Sequence, residues 1–219
     1  MGLARLHLSR VPQISFFKLF GTGSDDGFTF KVNPLTNTGV YAILAVWPNK
    51  NTAEKTISTD SLFHQYRDYS TQNWTIFLQP ISVKGVWNGK QPFAPNGSKI
   101  DGQIVALTRA TIKISTMLSF WKKVPNVQKM IASDKNVLFK IGLGEVPLFN
   151  QVTFSIWPNA EAMDSFARKN GPHAEAIKAV RKGNWFSEEL YARFKICGED
   201  GKWSHKKSSK KKYSELEAP

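Results

Sequence analysis

Four histidines, one cysteine and seventeen carboxylates are the side chains with which this chain could hold a metal or move a proton. His173 has the most distinctive context. It follows Gly171-Pro172 and opens GPHAEAIKAVRKGNWFSEELYARF (171–194), a helical run that breaks at Gly183-Asn184 and meets the aromatic pair Trp185-Phe186. Two readings are open for it: a helix-start residue bonded to a neighbouring carbonyl, or the ligand or acid–base group of a site. A non-haem iron site needs two histidines and a carboxylate that converge. His205 lies in a lysine-rich tail and His7 near the N-terminus, which leaves His64 and His173. Cys197 stands alone, so neither an intrachain disulfide nor a cysteine-based zinc site can form, and a reducing, cytosolic setting is expected. No Gly-x-Gly-x-x-Gly occurs to bind a dinucleotide.

The elements that would position these residues come in two copies. AVWPN (45–49) matches SIWPN (155–159), FFKLFGTG (16–23) matches LFKIGLGE (138–145), and QNWTIFL (72–78) matches GNWFSEEL (183–190), in the same order. Trp47 to Trp74 spans 27 residues and Trp157 to Trp185 spans 28. His64 and His173 then fall at near-equivalent places, 17 and 16 residues after their Trp-Pro-Asn, an arrangement ill suited to chelating one ion. In the second copy, IVALTRATIKI (104–114), NVLFKIGLG (136–144), QVTFSIW (151–157) and LYARFKIC (190–197) read as strands. SFWKKVPNVQKMIAS (119–133), AEAMDSFARK behind an Asn159 cap, and HAEAIKAVRK read as helices. The order is βαββαβ, the ferredoxin-like unit.

The expected fold is therefore α+β: two tandem ferredoxin-like repeats forming a dimeric-α+β-barrel-like unit. The first repeat (1–88) lacks its opening strand, 89–103 is a linker, 104–197 is the second repeat, and 198–219 is a basic disordered tail. Aligning Phe17-Lys18 with Phe139-Lys140 puts Met1 opposite Lys123, inside the first helix of the second copy. Residues 1–10 should then be helical, with Leu3, Leu6 and either Leu8 or His7 toward a core. The first sheet should hold three strands of its own copy, near 14–20, 40–47 and 74–81. An upstream extension of the gene would supply the fourth. Residues 21–39 read as a long flap.

The formal net charge is +13, and the chain is basic outside its tail as well. No nucleic-acid motif accompanies that charge, so nucleic acid is not an expected partner. The tail is read as solubilising, with attraction to an anionic membrane surface as the functional alternative. Fifteen Phe, seven Trp and five Tyr can fill a core or line a pocket for a large apolar ligand. In ALTRATIK, alternation puts Leu107, Arg109, Thr111 and Lys113 on one side. An arginine on a central strand is costly unless paired, so Arg109 is expected to face a barrel interior, with Glu145, Glu188 and Glu189 as partners or proton carriers.

TRATIK, FKIGLGEVP, TFSIW and above all GPHAEAIKAVRKGNWFSEELYARF resemble the spheroidene monooxygenase family, the acyclic carotenoid ketolases of bacteria. FFKLFGTG, YAILAVWPN and NWTIFLQP fit as well, so the resemblance covers roughly residues 1–197. It implies introduction of a keto group at C2 of an acyclic carotenoid such as spheroidene. Dioxygen and reduced ferredoxin are the implied co-substrates and haem the implied cofactor. The expected location is cytoplasmic, with the periphery of the inner membrane as the alternative. Oxidising an unactivated C–H bond needs a metal, haem or flavin, and a haem needs only one histidine. The resemblance favours His173 as haem-iron ligand and catalytic residue, with Arg109 catalytic. Arg181, Arg193 and Trp185 become cofactor-binding residues, Arg181, Lys182 and Arg193 as propionate partners. Trp157, Phe154, Phe186 and Tyr191 become the substrate pocket. Each has a plainer reading, as core packing or a solvated face. A haem protein of this fold with another substrate, or an inactive relative, is the alternative.

Overall fold

Seven strands alternate apolar residues toward one shared interior, and that alternation curls them into a single antiparallel sheet. The computed structural model describes residues 2–21, 39–97, 101–122, 135–146, 149–168 and 182–203. Their elements are α1 (Gly2–Leu8), β1 (Phe16–Gly21), β2 (Tyr41–Val46), α2 (Lys50–Thr59), α3 (Ser61–Asp68), β3 (Trp74–Gly85), β4 (Ile104–Ile112), β5 (Phe139–Val146), β6 (Asn150–Trp157), α4 (Ala160–Arg168) and β7 (Phe186–Gly201). The sheet order is β2-β1-β5-β6-β4-β7-β3.

Residues 104–201 contribute β5-β6-β4-β7 in that order, all antiparallel. This is the strand order that βαββαβ connections produce. The first half does not form a sheet of its own, contrary to expectation. Its β1–β2 hairpin joins β5, while β3 pairs along β7 at the far end. Length and burial account for this. Twelve-residue β3 finds a matching partner in sixteen-residue β7, and Ile76 and Leu78 then share the interior with Leu190 and Phe194. Pro80 and two register shifts sit on β3, where an edge strand tolerates them.

The sheet has two apolar faces. Phe16, Phe20, Val105, Leu107, Leu143, Val152, Ile156, Leu190 and Phe194 fill the concave side, here called the lumen. The curl brings Trp74 of β3 edge-on to Phe139 of β5, with ring centroids 5.0 Å apart. On the convex side, Ile104 and Trp157 pack under Met163 and Phe166 of α4, and Leu19 packs under Ala4, Leu8 and Leu62 of α1 and α3.

The duplicated Trp-Pro-Asn has a structural cause. Each copy ends a strand and starts a helix: Asn49 Oδ1 accepts from Thr52 N and Asn159 Oδ1 accepts from Ala162 N, both at 2.8 Å. The N-terminal segment is helical as expected, and Leu8 is buried, but Leu3 and Leu6 are 85% and 52% exposed and Ala4 is the other buried residue. The Phe-Lys alignment also fails. Lys18 faces the lumen beside Phe16, whereas Phe139, Ile141 and Leu143 are the lumen residues of β5 and Lys140 alternates away from them. A one-residue slip exchanges the faces of a strand.

Candidate active site

Alternation along β4 decides what Arg109 meets. Val105 and Leu107 point into the lumen, Ile104 and Ala106 toward α4, so Arg109 belongs to the lumen set. It is 1% exposed and ion-paired to Glu188 of β7. Its second terminal nitrogen donates to Asn88 Oδ1 at 3.2 Å, and its Cζ stands 5.7 Å from the centre of the Trp87 ring. The Arg109 Nε has no hydrogen-bond partner among the described residues.

Trp87 is 0% exposed and comes from outside the strands. After β3, Trp87-Asn88-Gly89-Lys90 makes a tight turn in which Trp87 N donates to Lys90 O at 2.7 Å. Asn88 and Gly89 take φ of 51° and 71°, the pair of positive values that an Asn-Gly hairpin turn uses. Both turn amides donate to the Glu188 carboxylate, Asn88 N at 2.7 Å and Gly89 N at 2.8 Å. Burial pushes the Glu188 carboxyl upward, but the two amides and the Arg109 charge outweigh it and hold the group below its ordinary range.

A second ion pair lies beside the same indole. Lys18 of β1 pairs with Glu145 of β5, and its Nζ is 5.7 Å from the Trp87 ring centre and 5.5 Å from that of Phe16. Trp87 Nε1 donates to Glu145 Oε2 at 3.0 Å. The cluster thus places two cations around one indole, each neutralised by a carboxylate, within an otherwise apolar lumen. Such pairs are costly to desolvate and costly to break singly.

The expected site residues divide. Arg109 and Phe154 face the lumen, the latter edge-on to Phe139 at 6.2 Å. Phe186 packs against Phe120 at 5.8 Å, and Trp185 is buried where its carbonyl accepts from Lys113 N at 2.9 Å. The other three point elsewhere. Trp157 lies on the convex face, its ring tilted against Phe166 at 5.1 Å with its Nε1 bonded to Ser155. Tyr191 is 41% exposed and bonds Glu189. Arg193 bonds Asp164 of α4 at 2.8 Å. All three lie at alternate positions that point away from the lumen. His173 and Arg181 lie outside the described residues.

Sequence reasoning missed Trp87, Asn88 and Lys18. The Asn-Gly dipeptide in VWNGK (86–90) was the available signal. Glu188 was legible as a partner for Arg109; Glu145 instead serves Lys18.

Among the described residues, no histidine faces the lumen. His7 bonds Asp60 at 2.9 Å and His64 bonds the Ser58 carbonyl at 2.7 Å, both on the outer helices. Cys197 Sγ donates to Phe77 O at 3.2 Å. No group of three His, Cys, Asp or Glu that could hold a metal occurs among the described residues. A groove outside the sheet, lined by Leu3, Leu6, His7, Arg10, Thr56 and Asp60, is open to solvent and holds none of the lumen cluster.

No family profile matches the chain. Among solved structures, a candidate monooxygenase of Fusobacterium nucleatum shares 9% identity at a TM-score of 0.44, over 89% of this chain and 81% of that one. One from Lactobacillus acidophilus shares 16% at 0.38, over 90% and 87%. Likeness at these scores carries no argument. The sequence relatives are nearer. The spheroidene monooxygenase of Cereibacter sphaeroides is 47% identical over 94% of this chain, which spans 63% of that protein's length. That of Rhodobacter capsulatus is 41% identical, covering 94% of this chain and 85% of the relative. That of Rubrivivax gelatinosus is 31% identical, covering 88% and 72%. The chain belongs to the spheroidene monooxygenase family.

Proposed function

We propose that the protein is a carotenoid monooxygenase that introduces a keto group at C2 of an acyclic carotenoid such as spheroidene. One observation carries this reading: the 41% identity to a spheroidene monooxygenase over 94% of this chain and 85% of the relative. The lumen cluster suits such a substrate. A long apolar polyene needs an apolar trough, and an oxygen near its end needs a donor at one point along it. The Arg109 Nε, buried without a partner among the described residues, is that donor. Lys18 and Glu145 keep a second ion pair beside the same ring.

Dioxygen and electrons from reduced ferredoxin are the proposed co-substrates. Haem is the proposed cofactor, supplying the oxidant for the C–H bond, with His173 as its ligand. No helix in the described residues is long and apolar enough to cross a membrane. Contact with the membrane through the lysine-rich tail is proposed from its charge.

The test is expression in bacteria that accumulate spheroidene. The expected result is a keto-carotenoid identified by its mass and red-shifted absorption. Cells whose pigments stay unchanged while the protein is soluble and supplied with ferredoxin would refute the reading. A Soret band lost in His173→Ala, together with such unchanged pigments, would favour a haem protein with another substrate.

A further inference from the structure

Nearly all the large residues in the lumen come from strands, where moving one side chain means breaking a ladder. Trp87 and Phe93 are the exception. Both are buried, both belong to the strandless stretch between β3 and β4, and both sit in the middle of the apolar interior. Phe93 lies edge-on to Phe194 at 5.0 Å, and Trp87 edge-on to Phe16 at 5.5 Å. No strand ladder holds residues 86–96; the polar bonds to the sheet include Val86 N to Glu189 O at 3.0 Å, the two turn amides to Glu188, Trp87 Nε1 to Glu145, Arg109 to Asn88 Oδ1 at 3.2 Å, Gln91 Nε2 to Gly85 O at 3.4 Å and Asn96 N to Pro80 O at 3.3 Å. Glycines bound the stretch on both sides. Gly85 and Gly97 take φ of 91° and 68°, backbone conformations that other residues rarely adopt.

We propose that the lumen is the binding site for the end of a linear polyene, and that residues 86–96 fill it until the polyene displaces them. The ligand class rests on the carotenoid reading above. The geometry adds where the polyene goes and what it replaces. A polyene is flat, apolar and π-rich, so it can take over the edge contacts that Phe16 and Phe194 now make with Trp87 and Phe93. Lys18 and Arg109, which now stand near the Trp87 ring, would stand near the polyene instead, where a π face attracts cations in the same way. The bonds released from residues 86–96 are to the Glu188 and Glu145 carboxylates, to the Arg109 guanidinium and to backbone carbonyls; Glu188 keeps Arg109 and Glu145 keeps Lys18 as ion-pair partners, and water can remake the rest.

The experiment uses the full chain with spheroidene in detergent, and detergent alone as the blank. Amide exchange across residues 86–96 should rise at least tenfold with spheroidene, while β4, β6 and β7 slow. Phe93→Ala should bind spheroidene several-fold more tightly, because it removes part of the competing plug; Phe93→Leu serves if the alanine variant does not fold. A purely structural plug predicts the opposite, weaker binding by a looser fold. Spheroidene that binds, as read from its visible bands, while exchange in 86–96 stays unchanged would overturn this proposal and leave the carotenoid reading intact. Weaker binding by a folded Phe93 variant would overturn it as well. Spheroidene that leaves its bands and every amide unmoved would remove both.

Discussion

At the scale of single residues, parity along a strand decides between packing and chemistry. Trp157 and Arg109 both occupy the middle sheet, yet one faces α4 and the other the lumen. Trp157→Ala should therefore cost about 3–5 kcal/mol of stability, as large buried aromatics do. It should leave keto-carotenoid yield per folded molecule unchanged, checked by urea unfolding beside pigment analysis. Arg109→Ala strands the Glu188 carboxylate and should cost about 3–5 kcal/mol as well, but with product lost even where the protein stays folded. Arg109 was legible from the sequence because a charge on a central strand must be paired. Its ring partner was not, since nothing in the sequence says that a turn tryptophan 22 residues earlier enters the same interior. Tyr191 and Arg193 were assigned to a site by type, and only the strand's phase shows that they point outward.

At the scale of elements, the helix starts were readable and the helix faces were not. Asn159 behaves as its sequence context indicates, and Asn159→Ala should cost about 1 kcal/mol through the lost cap, measured by thermal unfolding. In α1, Leu8 is buried while Leu3 and Leu6 are exposed, because seven residues hold too little periodicity to choose a face. The turn at Asn88-Gly89 supplies a pH prediction. Glu188 is held below its ordinary carboxyl range, so its latch on the turn is intact above the unfolded value near 4.5 and is lost as pH falls through the folded value. Near-ultraviolet circular dichroism should show Trp87 leaving its rigid setting below pH 4.5, before far-ultraviolet signal falls. Glu188→Gln should abolish that early step. A single transition in both signals would show that the latch carries no separate stability.

At the scale of the whole molecule, repetition in the sequence foretold mixed α+β structure and most strands, but not how the halves share a sheet. The order β2-β1-β5-β6-β4-β7-β3 places the first half on both flanks of the second. Local sequence carries no trace of it, because such pairing is set by length match and by the common interior. The seams differ greatly. β3 and β7 pair over eleven positions, whereas β1 and β5 pair only at Gly21 and Gly144, two residues without side chains to pack across the join. The Lys18–Glu145 ion pair is a further polar tie across it. Such a seam divides the chain's cooperativity. The β1–β2 hairpin with its three helices can melt as one unit, and the five strands that remain as another. Scanning calorimetry should then give a measured enthalpy larger than the van't Hoff value, the sign of a transition that is not all-or-none. Lys18→Met, which cuts the tie, should separate the two melting steps further.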